Sequence, residues 1–218
     1  MRGTLSLAPK VANGRHNEMM RILVPFGLAI ALVASQPSTD PLAGRWRSRE
    51  VSPSGVSAVF EFSGGQLDSY AAVIVEEQFR LAGTDTIFLQ HKSGREEKLE
   101  LEWDNQDHAR IDDEAAGKSI ELVRVGKSAG SKNPLSGEWK TTREWKGQAY
   151  PALAVFLAGG RVIWVTRVHA EHGRYSVQNQ NIRLEIPNRP PVEGRFALTG
   201  ESLTLPNPRG GQSSFERF

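Results

Sequence analysis

Pro41-Leu42-Ala43-Gly44-Arg45-Trp46 comes back 93 positions later as Pro134-Leu135-Ser136-Gly137-Glu138-Trp139, and this return decides how the rest of the chain reads. The far ends agree at the same offset, Leu122-Val123-Arg124-Val125 answering Phe215-Glu216-Arg217-Phe218. Between them Ala58–Gly65 answers Leu153–Gly160, and Ile87 and Leu89 answer Ile182 and Leu184, at an offset of 95. Small insertions must therefore cancel, leaving 78 positions from Trp to Arg in both copies. Self-similarity on this scale marks a duplicated structural unit. It divides the chain into residues 1–35, a first module at 40–125, a Gly/Ser/Lys-rich linker at 126–133 and a second module at 134–218.

Within each copy the pattern is that of strands. Leu99, Leu101 and Trp103 alternate with Glu100 and Glu102, and Ile182, Leu184 and Ile186 with Arg183 and Glu185, the period of two of a sheet with one wet face. Turn chemistry separates the runs at Ser63-Gly64-Gly65, Gly83-Thr84-Asp85, Asp104–Asp107, Gly159-Gly160, Gln178–Asn181 and Gly210-Gly211. No helical period of 3.6 stands out after residue 36. The expected class is all-β: two tandem antiparallel meanders, each curling into a small barrel, after an N-terminal signal peptide.

The leader is read from Ile22–Ala34, an apolar stretch that follows Arg21 and ends in the small residues Val33-Ala34-Ser35. Charged start, short apolar run and small-residue cleavage site are the parts of a secretory signal. As a membrane anchor the stretch falls short of the ~20 residues a spanning helix needs, and it contains Pro25. Cleavage is expected near Ser35-Gln36, and Met19-Met20 marks the expected start of translation, with residues 1–18 as an upstream extension. The mature protein is then expected to be periplasmic or secreted, with no membrane span.

The chain has no cysteine, which excludes a disulfide framework, thiolate metal sites and thiol nucleophiles. Of its 27 basic and 25 acidic residues, four basic and one acidic fall within residues 1–35. The mature part is thus near neutral, and nucleic acid is not an expected partner. Charge divides between the copies instead: residues 40–127 carry 17 acidic and 11 basic side chains, residues 132–218 carry 7 and 12. Opposite fields favour contact between the modules, or a different partner for each.

At the Gly-x-Trp of the first strand and the single Arg of the last, each copy resembles the lipocalin-like calycins, especially short bacterial extracytoplasmic lipocalin-like domains. The resemblance implies that the Trp packs at the closed end of a barrel with the Arg stacked across it. Carried over, Gly44 and Trp46 would meet Arg124, and Gly137 and Trp139 would meet Arg217. A guanidinium on an indole face contributes roughly 0.5–2 kcal/mol and can tie strand-end carbonyls together. This is a closure device, and it speaks for the fold rather than for an activity.

Candidate chemistry is sparse. His169, Glu171 and His172 are the best metal candidates, with His169 and Glu171 on one face of a strand and a turn at Gly173 available to bring His172 round. The plainer reading of this stretch is a polar hairpin end. The acidic runs Asp104–Asp107 and Asp112-Asp113-Glu114 have calcium-type ligands without a known loop spacing, and serve equally as turns. Gly126-Lys127-Ser128 lacks the earlier glycine of a phosphate loop, since Glu121 stands in that place. No Gly-x-Ser-x-Gly occurs, and Glu50, Glu61, Glu144 and Glu171 are the carboxylates that a hydrolase reading would bring together.

Aromatic residues carry the binding expectation. Trp103, Trp145, Trp164 and Tyr175 are the ligand-binding candidates, Trp145 the most exposed among them and Trp164 inside the apolar run Val162–Val165. A binding protein would enclose a cavity lined by Val73, Val75, Trp103, Trp164 and Phe196. An interaction module would have filled barrels and an exposed aromatic patch. The expected function is an exported, non-enzymatic binding protein for a small apolar molecule or an envelope protein surface, with no cofactor; a structural interaction module and a carboxylate hydrolase are the alternatives.

Overall fold

Period-two alternation becomes strand throughout the residues that the computed structural model describes, 40–113, 117–126 and 133–218. The leader, linker residues 127–132 and Glu114 lie outside them. Seven strands come from the first half: β1 (Gly44–Val51), β2 (Val56–Ser63), β3 (Gln66–Ala82), β4 (Thr86–Gln90), β5 (Glu96–Asn105), β6 (His108–Asp113) and β7 (Lys118–Val125). Eight come from the second: β8 (Gly137–Trp145), β9 (Gln148–Leu157), β10 (Arg161–Gln178), β11 (Asn181–Glu185), β12 (Val192–Arg195), β13 (Ala197–Thr199), β14 (Ser202–Pro206) and β15 (Gln212–Arg217). The fold is all-β and antiparallel, and among the described residues there is no helix, so none long and apolar enough to cross a membrane. The six turn signals fall at strand ends or between strands.

β3 and β10 are the two longest strands, and they pair with each other from Gln78 opposite Arg161 to Gln66 opposite Arg174. Each then hands its two ends to different neighbours. The end of β3 at Gln78–Ala82 pairs with β4, and the start of β10 at Arg161–Thr166 pairs with β9. Following the ladder through β4, β5, β6, β7, β8 and β9 leads back to β10, so these eight strands form one closed hydrogen-bonded circuit. The other ends pair with β2 and β11. From there the second ladder runs β2, β1, β15, β14, β13 on one side and β11, β12 on the other. Its two free edges, β12 and β13, are consecutive in the chain.

Side-chain alternation sorts the apolar residues into three cores. Phe79, Ile87, Leu101, Ile111, Trp139 and Trp164 fill the first circuit, and Trp46, Phe62, Leu67, Tyr175, Leu203 and Phe215 fill the second ladder. The opposite faces of β2, β3, β9 and β10 meet in a third core of Val59, Tyr70, Ala72, Leu153, Val155, Ile163 and Val165. A bulge between Arg167 and His169 lets β10 keep its inner face inward in both ladders, since an extra residue reverses the alternation.

The Gly-x-Trp and Arg positions make matching contacts, but across the halves. The Arg217 guanidinium lies 4.2 Å over the Trp46 ring and donates to the carbonyls of Ala43 (2.7 Å) and Pro41 (3.3 Å). Arg124 lies 3.9 Å over Trp139 and donates to Ser136 (3.0 Å) and Pro134 (2.6 Å). Trp46 and Trp139 each donate at 2.7 Å to the carbonyl four residues back, Leu42 and Leu135. The expectation that Trp46 meets Arg124 and Trp139 meets Arg217 is thus corrected: the partners are exchanged. The reason is the length of β3 and β10, which run past the point where each half would fold back on itself and deliver their far ends into the other ladder. The turn expected at Gly173 is also absent. Gly173 lies within β10, where a Cβ would stand 2.3 Å from the Glu185 carbonyl, so its role is close backbone approach.

Gly44 has φ +118°, and a Cβ there would come within 2.9 Å of Arg217 Nη1. Gly137 repeats the arrangement at φ +119°, with Arg124 Nη1 at 3.3 Å. Gly44→Ala is expected to lower the unfolding free energy by about 2–3 kcal/mol through backbone strain and displacement of the arginine. Gly55→Ala, also at positive φ but with no neighbour within 4 Å, is expected to cost about 1 kcal/mol. Urea unfolding of both variants checks this, and equal losses would remove the arginine from the account.

Candidate functional site

β3 carries Val75, Glu77 and Phe79 on its inner face, so the strand's period places a carboxylate among core residues. Glu77 is buried, and its oxygens are both engaged: Trp164 Nε1 donates to Oε2 at 2.9 Å, and His91 Nδ1 stands 2.6 Å from Oε1. His91 lies in the turn after β4, which its own backbone closes by bonds with Gly94 and Arg95. Its second nitrogen faces Glu97 Oε2 at 3.0 Å, and Glu97 in turn accepts from Arg95 at 2.7 Å. Burying an indole N–H and a carboxylate is tolerable only because each satisfies the other.

Opposite this pair, β8 brings Arg143 over the Trp164 ring at 4.6 Å. Its Nη1 is buried and has no hydrogen-bond partner. Burial pulls the guanidinium pKa below the ordinary arginine value, while the charge of Glu77 opposes the shift. Thr141, two residues earlier on the same face of β8, has a buried Oγ1 that is likewise without a partner. Glu77, His91 and Arg143 line a cavity of about 460 Å³ whose apolar wall includes Leu89, Ile111 and Trp164. By register this is the end of the first circuit remote from Trp139 and Arg124: β5, β6 and β8 lead from Trp103, His108 and Gly137 at that far end to Glu96, Asp113 and Trp145 here. The result is a recess with an apolar wall, a charged rim that includes Glu97, Asp113, Lys118 and Glu144, and the Arg143 donor left over, a combination found in small-molecule sites.

The matching positions of the second ladder carry different residues. By the offsets of the sequence, Ser69, His172 and Glu50 stand where Trp164, Glu77 and Arg143 stand in the first. His172 and Glu50 are exposed.

The aromatic candidates disperse. Trp164 is buried in the mouth, whereas Trp103 packs 6.0 Å from Trp139 at the other end and donates to Thr84 O at 3.0 Å. Tyr175 lies in the core of the second ladder, edge-on to Phe62 at 4.8 Å and hydrogen-bonded to Asp40. Trp145 is half-buried at the β8–β9 turn beside Tyr150, with Lys146 4.4 Å over its ring. The cavity residues expected together are divided: Val75, Trp103 and Trp164 belong to the first circuit and Phe196 to the second ladder.

The metal candidates do not gather. His169 Nε2 is 3.6 Å from Glu171, but Glu171 is held by Arg189 at 2.7 Å and His172 turns to Asp68 at 2.6 Å. Among the described residues no group of three or more His, Asp or Glu is placed to hold a metal. Of the calcium candidates, Asp107 faces Arg124 and Asp112 accepts from Arg110. The carboxylates considered for hydrolysis also stand apart, Glu61 with Arg45, Glu144 with Lys118 and Glu171 with Arg189.

Comparison with protein-family models, with curated proteins and with solved structures gives no match for this chain.

Glu77→Ala would leave the Trp164 N–H buried without an acceptor and is expected to cost about 2–3 kcal/mol. Glu97→Ala breaks only ion pairs near the surface and is expected to cost about 1 kcal/mol or less. Urea midpoints of the two variants make the comparison, with similar losses counting against a buried Glu77–Trp164 bond.

Proposed function

We propose that this is an exported, non-enzymatic binding protein made of two small lipocalin-like barrels that share the β3–β10 ribbon and trade strands. The first barrel takes, at its mouth, a small apolar molecule with one hydrogen-bond-accepting head. The observation that carries this reading is Arg143 Nη1, buried and unpartnered beside a recess of about 460 Å³. A buried donor without an acceptor is costly, and a ligand oxygen placed there would remove the cost. Leu89, Ile111 and the Trp164 ring would receive the apolar body. The leader motif at residues 22–34 supports a periplasmic or secreted location, where such carriers meet their ligands.

A surface-binding role has less support. The large exposed apolar side chains among the described residues are Val51 and Val123, too little for the contiguous patch that marks a protein interface.

Decanoate and decylamine separate the readings, since they share a chain and differ in having an accepting or a donating head. Decanoate is expected to shift the emission of Trp164, decylamine to bind at least about tenfold more weakly, and Arg143→Gln to erase most of that difference. The Trp164→Phe variant identifies the emitting residue. Equal binding of both amphiphiles by the unmodified protein, or no binding of either, would overturn the proposal.

A further inference from the structure

The faces of the strands turned away from both ladder interiors meet in a seam, and a second set of polar atoms is left over there. Arg45 holds the seam together. Its Nη1 and Nη2 donate to the two oxygens of Glu138 at 2.6 and 2.9 Å, and its Nε donates to Glu61 Oε2 at 3.1 Å. All three nitrogens of Arg45 are thereby used, and Glu61 and Glu138 are both answered.

Arg167, on β10, is not answered in the same way. Its guanidinium lies 4.6 Å over the Tyr70 ring, its Nη2 is 3.8 Å from Glu61 Oε2, beyond hydrogen-bond range, and its Nε is buried with no partner. Tyr70, on β3, is 3% exposed, and its hydroxyl is also buried without a partner. Burial pushes the phenol up to about 12, while the charge of the neighbouring Arg167 and its contact with the hydroxyl pull the other way, so the hydroxyl holds its proton at neutral pH and can donate. Arg167 lines a cavity of about 540 Å³ together with Lys140, Tyr150, Pro151 and the carboxylate of Glu61; Tyr70, beneath the Arg167 guanidinium, is not itself in the lining. Lys140 has no ion-pair partner among the described residues. Asp68, also at this cavity, is taken by His172.

We propose that this seam binds an oxyanion, the carboxylate or phosphate group of a small molecule, on the Arg167 guanidinium with Lys140 at the rim, the Tyr70 hydroxyl beneath Arg167 turning toward the anion as it enters. Planar guanidinium donors match such oxygens, and charge-assisted bonds of this kind are the stronger class. The fixed charges around the cavity balance, Arg45, Arg167 and Lys140 against Glu61, Glu138 and Asp68. The attraction therefore comes from directed donors left unused and not from a net field, and it should be only weakly sensitive to salt. The site is separate from the mouth: Arg143, Glu77 and Trp164 face the interior of the first circuit, while Tyr70 belongs to the third core.

The test measures the thermal unfolding midpoint of the full chain in phosphate, acetate and chloride at matched ionic strength. Phosphate or acetate is expected to raise the midpoint by about 5–10 °C once it exceeds its dissociation constant a hundredfold. The tighter of the two tells whether the natural head group is a phosphate or a carboxylate. Arg167→Gln is expected to weaken the anion at least about tenfold. Tyr70→Phe keeps the ring under Arg167 and removes a hydroxyl that has no partner, so the variant should fold as well as the unmodified protein while losing affinity for the anion by about threefold or more. Decanoate binding should be unchanged in Tyr70→Phe, so that failure at the seam and failure at the mouth are read separately. The proposal is overturned if neither anion raises the midpoint above chloride, or if Tyr70→Phe binds phosphate and acetate as tightly as the unmodified protein.

Discussion

The ladder between β3 and β10, from Gln78 opposite Arg161 to Gln66 opposite Arg174, is longer than the pairing either strand makes with any other neighbour. At ~3.3 Å per residue it extends over about 45 Å, more than one small strand circuit needs. Each strand therefore begins in one ladder and ends in the other, and everything downstream of it is committed to the ladder it has entered. β4 to β7 close with β8 and β9; β11 to β15 join β1 and β2 in the ladder whose edges are β12 and β13. The exchange of Arg124 and Arg217 between Trp139 and Trp46 follows from this geometry. So does the seam, because two ladders that share a ribbon must also pack the outer faces of the strands beside it.

The contacts between the halves do not follow the division of charge between them, since Arg45, Arg47 and Lys118 of the acidic half meet carboxylates of the basic one. The two halves are interleaved, and polar side chains pair between them: Arg45 with Glu138, Arg47 with Glu216, Lys118 with Glu144, Arg167 near Glu61, and His172 with Asp68. Pairs at a partly wet surface are individually worth little. The Arg45 pairing differs in using three nitrogens on two carboxylates, with the arginine side chain only 13% exposed. Such a fork fixes the relative register of β1, β2 and β8, which is what a seam between two ladders requires.

Much of the fold is legible in the residues. Alternation at Leu99–Trp103 and Ile182–Ile186, and the Gly- and Asn-containing turns, place strands and corners directly. The run Gln66–Ala82 contains no glycine, proline or asparagine, so a single long strand is visible there. What alternation does not encode is the partner. The ends of both halves present the same edge, an Arg with an apolar residue two positions before it and another just after, and β1 would fit either; only the lengths of β3 and β10 decide. Gly173 was open to two readings for a similar reason, since glycine serves both a turn and a close approach. At the mouth, Glu77 was the legible signal, an acid in the inward series Val73, Val75, Glu77, Phe79. Arg143 shares its face with Trp139 in the same way. The aromatic count drew attention to Trp145 and Tyr175 instead, which the fold sends elsewhere.

The exchange of partners is the claim that the circuits, the seam and both cavities rest upon, and nuclear Overhauser contacts test it without altering the chain. The ring protons of Trp46 should show contacts to the Arg217 side chain and those of Trp139 to Arg124, with backbone contacts between the paired residues Trp46 and Arg217. Contacts from Trp46 to Arg124 and from Trp139 to Arg217 would mean that each half closes on itself, and would contradict the account.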